Sequence, residues 1–420
     1  MLRGEFAEAL RHYASLLEAA PQHSLARLGI AQALLGLRDA DAKDLLTAAA
    51  RHALRFGAPL LGLFGISRLA QERDARASIL AREAATLYAR IPTASGYQDK
   101  AQPTANLSEL SNSEVVDLAK RLSLQELEPP PELVRPSIPL LSQLPKAVFA
   151  AVCLLLKASE LDDPQLAFSQ KTPGAHFYLV VSGGLSLLHT TDSSKEEMLG
   201  AALAGACVGE TSLLSAALYS FSAKALGPTR LLQLQRETLL ELSKKLPEIG
   251  EIVQRFARER LLRNLLASAP IFRPFPKKRR VEVMRLFTGH DVNPGTQIIT
   301  EGQEGRGLYI IVSGQVEVTA GPEKSGLATL QSGDIFGEMS LLKKKPTNAS
   351  VWSKSPAQLL FLSREHFWRL LESEPAVKEF FQKISDDRSK AREQMLSLVE
   401  EISIEEEISI EEELLFEEVL

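Results

Sequence analysis

Residues 333–342 read Gly-Asp-Ile-Phe-Gly-Glu-Met-Ser-Leu-Leu, and a loop beginning Lys343-Lys344-Lys345 leads from them to a strand near Val351. In this stretch a glycine at the end of a strand precedes a short apolar helical turn. Such a glycine lets the backbone approach an anion, and the first amides of the turn point at that anion. Upstream, residues 307–318 predict two strands around a Ser-Gly turn. Together these patterns predict a strand-rich domain with an anion-binding turn.

The segment Phe336-Gly-Glu-Met-Ser-Leu341 resembles the phosphate-binding cassette of cyclic-nucleotide-binding domains, a family that includes the catabolite activator protein and the protein kinase A regulatory subunit. The resemblance implies a β-roll, in which Glu338 accepts a hydrogen bond from a ribose 2′-hydroxyl. In family members that bind cyclic AMP, an Arg ten residues after the cassette glycine forks onto the cyclic phosphate. That fork supplies two charge-assisted hydrogen bonds. Thr347 stands at this position here and brings neither the charge nor the fork.

If a ligand binds, the resemblance places it on the cassette and on the loop that follows. The candidate ligand is a cyclic nucleotide or a cyclic dinucleotide, no cofactor is certain, and no metal site is expected. The predicted ligand residues are Gly337, Glu338, Met339, Ser340, Lys345, Thr347, Asn348 and Ala349. Lys343, Lys344 and Lys345 either supply charge as mobile donors or form a solvated loop, and the sequence leaves both readings open.

The same order of motifs occurs earlier in the chain. Residues 138–146, 177–184 and 209–214 align with residues 269–277, 308–315 and 337–342. A repeated order of three motifs predicts a tandem duplication. The equivalents of the ligand residues in the first copy are Gly209, Glu210, Thr211, Ser212 and Tyr219. Tyr219 takes the place of the phosphate-binding Arg; it cannot neutralise a phosphate but could stack on a base. We therefore expect the first copy to be structural or dimerising.

Residues 1–90 show helical periodicity, and their first part, from Gly4 to Pro21, resembles the second half of a tetratricopeptide repeat. Further helices are predicted at 24–37, 41–55 and 60–88. Such repeats stack, and their concave face usually binds a peptide. The alternative is a plain helical bundle that packs on the rest of the chain. Residues 91–136 predict a proline-rich linker with one helix at 113–127, capped by Ser111 or Ser113.

The predicted fold class is α+β and multidomain, with helical repeat hairpins followed by two β-rolls with flanking helices. The first β-roll covers 137–246, a connecting helix covers 247–268, and the second β-roll covers 269–373. A lid or dimer helix follows at 374–400. Residues 401–420 form an acidic-hydrophobic tail that is either passive or a linear motif docking on a basic groove. The apolar residues of this tail are Ile402, Ile404, Ile408, Ile410, Leu414, Leu415 and Phe416.

Composition narrows the function classes. The formal net charge of -5 argues against general nucleic-acid binding. The longest apolar run, 147–156, is too short to span a bilayer, which takes about 20 residues. Met1 leads directly into an amphipathic pattern, so no signal peptide is expected. Cys153 and Cys207 lie outside any Cys-x-x-Cys motif and are expected to be core residues of a cytoplasmic protein.

No catalytic motif occurs in the sequence, and too few residues follow the second β-roll for a helix-turn-helix. We therefore predict a non-enzymatic signalling scaffold of bacterial type that acts on protein partners through its helical repeats and tail and that can form a homodimer. The alternative is a cyclic (di)nucleotide sensor in which ligand binding to the second β-roll gates partner binding. The absence of the phosphate-binding Arg from both copies favours the scaffold.

Overall fold

A computed structural model describes residues 2–91, 107, 109–190, 196–210, 213, 219, 221–268, 270–272, 274–321 and 325–390. The chain divides into two compact units, Met1–Glu259 and Arg260–Leu420. The first unit contains the N-terminal helices and the first β-roll. The second unit contains the second β-roll and the helices that follow it.

Six α-helices precede the first β-roll. They span Leu2–Ala19 (α1), Ser24–Gly36 (α2), Ala42–Arg55 (α3), Pro59–Gln71 (α4), Arg76–Tyr88 (α5) and Asn112–Leu124 (α6). The helical N-terminus is confirmed. The single helix predicted at 60–88 is wrong, because Arg73 adopts a left-handed φ of 54° and divides it into α4 and α5. Helix α6 starts where the sequence predicts, with Ser111 and Glu114 forming a capping box.

The N-terminal helices and the first β-roll share one hydrophobic core. Ser67 of α4 is fully buried; its hydroxyl donates to the carbonyl of Leu156 at 2.8 Å and accepts from the amide of Ala158 at 2.7 Å. Helix α6 packs on α1, and the Arg27 guanidinium donates to the Ser123 carbonyl at 2.6 Å. The helices therefore pack on the first β-roll within one unit, and whether they act as peptide-binding repeats stays a prediction.

The first β-roll consists of two four-stranded antiparallel sheets, ordered β1-β8-β3-β6 and β2-β7-β4-β5. Its elements are Lys146–Leu155 (α7), Lys157–Leu161 (β1), Leu166–Phe168 (β2), His176–Ser182 (β3), Gly184–Thr190 (β4), Glu196–Leu203 (β5), Cys207–Val208 (β6), Ser222–Ala225 (β7), Thr229–Gln235 (β8), Arg236–Lys245 (α8) and Pro247–Ser268 (α9). Cys153 and Cys207 are both buried.

The second β-roll repeats this topology, with sheets ordered β14-β11-β16-β9 and β10-β15-β12-β13. Its elements are Lys277–Met284 (α10), Thr288–Val292 (β9), Gln297–Ile299 (β10), Gly307–Ser313 (β11), Gln315–Ala320 (β12), Ser325–Gln331 (β13), Ile335–Phe336 (β14), Glu338–Lys343 (α11), Ser350–Ser353 (β15), Ala357–Ser363 (β16) and Arg364–Ser373 (α12). A further helix occupies residues 375–390 and is called the C-terminal helix below. The predicted fold class is confirmed.

Candidate functional site

The cassette of the second β-roll begins at a glycine that no other residue can easily replace. Gly337 has a φ of 89°, in the left-handed region that favours glycine. A Cβ at this position would lie 2.6 Å from the carbonyl oxygen of Gly307 on β11. The turn is thereby held close to the sheet, and Glu338 at the start of α11 follows directly.

A cavity of about 220 Å³ lies over the cassette. Its walls are mostly apolar, and a few polar side chains reach it. The lining residues are Ile299, Val318, Leu327, Ala328, Leu330, Phe336, Gly337, Glu338, Met339, Ser340, Thr347, Asn348, Ala349, Val351 and Arg388. The structure thus brings seven of the eight predicted ligand residues together. Lys345 does not line the cavity and is exposed to solvent.

Glu338 is the buried charge of this cavity, with 1% of its surface exposed. Its Oε1 atom accepts a hydrogen bond from Nη1 of Arg388 at 2.6 Å. Its Oε2 atom is buried and has no hydrogen-bond partner among the described residues. Buried carboxylate oxygens are normally hydrogen-bonded, so this atom is placed to accept a donor from a molecule in the cavity.

Arg388 comes from the C-terminal helix, and the sequence analysis did not select it. The helix packs through its buried face, on which Val377, Phe381 and Ser385 lie at spacings of four. Arg388 follows on the same face. Its Nη1 also donates to the Ile335 carbonyl at 2.9 Å. Helical spacing places this arginine on the inward face of the predicted lid helix, but the spacing alone does not show that it reaches the cassette.

Thr347 holds the position of the phosphate-binding Arg, and its side chain is occupied within the protein. The residue is 7% exposed, and its hydroxyl donates to the Thr300 carbonyl at 2.6 Å. Its own amide donates to the Gln303 carbonyl at 2.8 Å. Thr347 therefore ties two loops together and keeps no hydroxyl proton for a ligand phosphate.

Lys343, at the end of α11, and Lys344, which follows it, bring no positive charge to the cavity in this structure. Lys343 donates to the Ser389 hydroxyl at 2.7 Å, and the Lys344 ammonium lies 5.0 Å from the centre of the Trp368 ring. Neither of them lines the cavity. Among the described lining residues, Arg388 is the cation, and it already binds Glu338.

In the first β-roll, the equivalent space is filled by aromatic side chains. The Tyr219 ring stacks on Phe168 with 4.1 Å between centroids, and its hydroxyl donates to the His176 carbonyl at 2.9 Å. Burial raises the pKa of Tyr219 above its ordinary value. The stacking role expected of Tyr219 is therefore met inside the protein. Gly209 has a φ of 83° and Glu210 is 3% exposed, so the cassette backbone is retained.

Several predicted residues lie outside the described part of the chain. Thr211 and Ser212 of the first cassette are among them. So are the tail residues Ile402, Ile404, Ile408, Ile410, Leu414, Leu415 and Phe416.

Residues 160–245 and 290–374 match the family described as cyclic nucleotide-binding domain. The chain therefore contains two such domains in tandem. It is 29% identical over 232 residues to a cAMP-dependent protein kinase regulatory subunit of Yarrowia lipolytica, covering 55% of this chain and 58% of the relative. It is 26% identical to a cGMP-dependent protein kinase of Caenorhabditis elegans, covering 51% of this chain and 26% of the relative. Among solved structures, the regulatory domain of Toxoplasma gondii PKA with cAMP matches at 22% identity, with a TM-score of 0.28 and coverage of 60% and 92%.

The chain spans between about a quarter and about three fifths of the length of these curated relatives. The relatives are eukaryotic, so they lend no support to the bacterial type predicted from the sequence. No helix in the part of the chain that the structure describes is long and apolar enough to cross a membrane. The same residues contain no group of three or more His, Cys, Asp or Glu side chains arranged to hold a metal ion.

Proposed function

We propose that this chain is a non-catalytic regulatory protein whose second cyclic-nucleotide-binding domain senses a small hydroxyl-bearing ligand. The observation that carries the proposal is the Oε2 atom of Glu338, which is buried at the cavity without a hydrogen-bond partner among the described residues. The alternative kept open by the sequence, a ligand sensor, thus becomes the preferred function.

The cavity favours an uncharged nucleoside over a cyclic nucleotide. Its apolar walls suit a flat base, and Oε2 of Glu338 suits a sugar hydroxyl. A phosphate needs a positive partner, and Thr347 supplies none. The one described cation of the wall, Arg388, is held by Glu338. A cyclic phosphate would therefore enter a largely apolar cavity without a cation of its own, and its desolvation would be poorly offset.

Ligand binding is coupled to the C-terminal helix through one carboxylate. Oε1 of Glu338 holds Arg388 of that helix, and Oε2 is left for the ligand. A ligand that neutralises or turns this carboxylate changes how firmly the helix is held. The C-terminal helix is thus the element that carries the signal. This requires that the ligand bind with different affinity to the protein with the helix held by Glu338 and to the protein with the helix released.

The test is calorimetric titration of the full chain with adenosine, guanosine, cyclic AMP, cyclic GMP and cyclic di-GMP. We expect a nucleoside to bind at least as tightly as its cyclic nucleotide. Glu338→Gln should weaken that binding about 10- to 150-fold, since a hydrogen bond to a charged group contributes about 1.5–3 kcal/mol. Glu317→Gln is the matched control, because Glu317 is a half-exposed carboxylate of the same β-roll paired with Lys354.

A second variant tests the contribution of the cavity to binding and leaves the Glu338 carboxylate unchanged. Ala328 lines the cavity and is exposed, so Ala328→Trp should fill the space at little cost to folding and abolish binding. Binding of cyclic AMP more than about tenfold tighter than adenosine would refute the ligand class, a difference of about 1.4 kcal/mol. Binding of none of the five compounds would refute the sensor.

The scaffold remains the second candidate, and the first β-roll favours it. Its site is filled by Tyr219 and Phe168, which indicates a domain kept for its surface. Partner binding by the N-terminal helices or by the 401–420 tail, and a cytoplasmic location, stay proposals. Removing residues 401–420 should abolish partner capture if the tail is the docking motif and leave it unchanged if the tail is passive.

A further inference from the structure

One sheet of each β-roll has an outer face turned away from its core. In the first β-roll this is the sheet β2-β7-β4-β5, whose inner face contributes Leu185, Ala202 and Ala223 to the core. Side chains alternate between faces along a strand, so the residues next to these lie on the outer face. Leu203, next to Ala202, is one of them, and Leu226 follows the buried Ala225; 62% and 47% of their surface is exposed.

The second β-roll shows what ordinarily occupies these positions. Leu203 pairs with Gly184 in the first β-roll, and Gln331 pairs with Gln315 at the same place in the second. The amide of Leu226 bonds to the Gly184 carbonyl, as that of Lys354 bonds to the Gln315 carbonyl. Leu203 therefore replaces a glutamine, and Leu226 replaces a lysine.

Two further outer positions carry an exposed apolar side chain. Met198, 62% exposed, pairs with Leu188, where the second β-roll pairs Gly326 with Thr319. Leu166 is 51% exposed and pairs with Lys224. The matching residue of the second β-roll is Gln297, which pairs with Trp352. At these four outer positions the first β-roll thus has an exposed apolar side chain where its duplicate has glutamine, lysine or glycine, whereas Trp352 of the duplicate stands where the first β-roll has Lys224. Because the backbone is shared, folding alone does not require this difference, and exposed apolar patches mark interaction surfaces.

The charges on this face are of both signs. Glu196 pairs with Thr190, two positions along β4 from Leu188, and so lies on the outer face. Lys224 lies on that face through its pairing with Ser186. A face that carries one acid, one base and an apolar centre is complementary to itself under a two-fold rotation.

We propose that the outer face of the sheet β2-β7-β4-β5 is a self-association surface, on which two copies of this chain dock face to face. A Cβ added at Gly184 would lie 3.0 Å from Leu203 and 3.8 Å from Leu226, so the side chains of these two leucines lie together over the glycine and form an apolar patch on the face. The self-complementary charges select a second copy over an acidic or basic partner. This surface is separate from the ligand cavity, which belongs to the second β-roll.

The size of the face sets the strength of the dimer. Strands of 3, 4, 7 and 8 residues form it. At about 3.4 Å along and 4.8 Å between strands, they cover roughly 400 Å² per copy. Two copies then bury about 800 Å², about two thirds of the roughly 1,200 Å² at the lower end of stable interfaces, which indicates a weak association. We expect a dissociation constant on the order of 10–100 μM.

Sedimentation velocity of the full chain, from about 5 to about 500 μM, brackets this range. The wild type should shift from monomer to dimer across the series. The double variant Leu203→Gln, Leu226→Lys places the residues of the second β-roll on the first and should weaken association at least tenfold. Ile79→Gln is the control, since Ile79 is 53% exposed on α5, away from this sheet, and its loss should change nothing.

A charge exchange tests the two-fold arrangement. Lys224→Glu and Glu196→Lys should each weaken the dimer, and the two changes together should restore it, because each protomer then again presents one acid and one base. Circular dichroism melting confirms that each variant is folded. A chain that stays monomeric overturns the proposal and leaves the face to a different protein. A dimer that survives the leucine changes, or one that the charge exchange does not restore, also overturns it.

Discussion

Arg388→Met tests whether the ion pair at the cavity holds the C-terminal helix in place. Methionine keeps much of the side-chain length and removes the guanidinium. Glu338 would remain as a carboxylate that is 1% exposed and that has lost its cation. Breaking a buried ion pair from one side destabilises a protein by about 3–5 kcal/mol, because a charge stays buried without compensation.

The exposure of the pair reduces this figure. The Arg388 side chain is 34% exposed, so water can reach the vacated side of the pair. Since a hydrogen bond to a charged group contributes about 1.5–3 kcal/mol, we expect a loss of about 2–3 kcal/mol. For a unit of this size that lowers the unfolding temperature by about 4–12 °C.

Differential scanning calorimetry of the full chain measures this loss in the transition of the second unit. Glu338→Gln combined with Arg388→Met should recover at least half of it, because both partners are then uncharged. Arg369→Met is the matched control, as Arg369 forms an exposed ion pair with Glu365 in the same unit. Such exposed pairs contribute about 0–1 kcal/mol. A coupling energy below about 0.5 kcal/mol between Arg388 and Glu338 would refute the reasoning.

Three further predictions concern the first unit. Ser67→Ala should lower the free energy of unfolding, measured in urea, by about 2–4 kcal/mol, since it leaves the Ala158 amide and a neighbouring carbonyl unpaired; a loss under 1 kcal/mol would contradict this. Tyr219→Phe should destabilise the first unit by about 1–3 kcal/mol without changing ligand titrations, because only internal hydrogen bonds are lost. Burial lowers the pKa of His52 to about 4. Between pH 6.5 and pH 4 the unfolded chain therefore binds a proton at His52 that the folded chain does not bind. Stability should therefore be fully present above pH 6.5 and fall by about 3 kcal/mol toward pH 4, and His52→Gln should flatten that slope.

The fold could be predicted because its signals are local. The cassette glycine, the Ser-Gly turns and their repetition each depend on a few neighbouring residues, and the left-handed φ of Gly337 bears out the first of them. The division between α4 and α5 was missed because Arg73, a residue without glycine's freedom, adopts the left-handed conformation there. Context from the tertiary structure decides such a break, and the sequence pattern does not contain it.

The sequence predicted only the part of the site that one continuous segment of the chain supplies. The cassette and its loop supply eight of the cavity residues, and these lie within 14 consecutive positions, 336–349. Arg388 lies 50 residues from Glu338, and Phe168 lies 51 residues from Tyr219. Helical spacing predicts which face of the C-terminal helix is buried, but not which of its side chains reaches the cassette. Contacts of this range depend on packing that no local pattern specifies.

The two copies lack the phosphate-binding Arg in different ways, and the difference argues for a division of roles. In the first, Tyr219 fills the space and hydrogen-bonds to the backbone, so the site is closed by the protein itself. In the second, Thr347 donates to a neighbouring loop, and the cavity keeps a carboxylate oxygen that has no hydrogen-bond partner in the described part of the chain. The first copy also exposes apolar side chains at four outer positions of one sheet, where the second copy has glutamine, lysine or glycine. One copy has therefore kept the cavity and the other has gained the surface, so ligand binding and association can be tested separately in one chain.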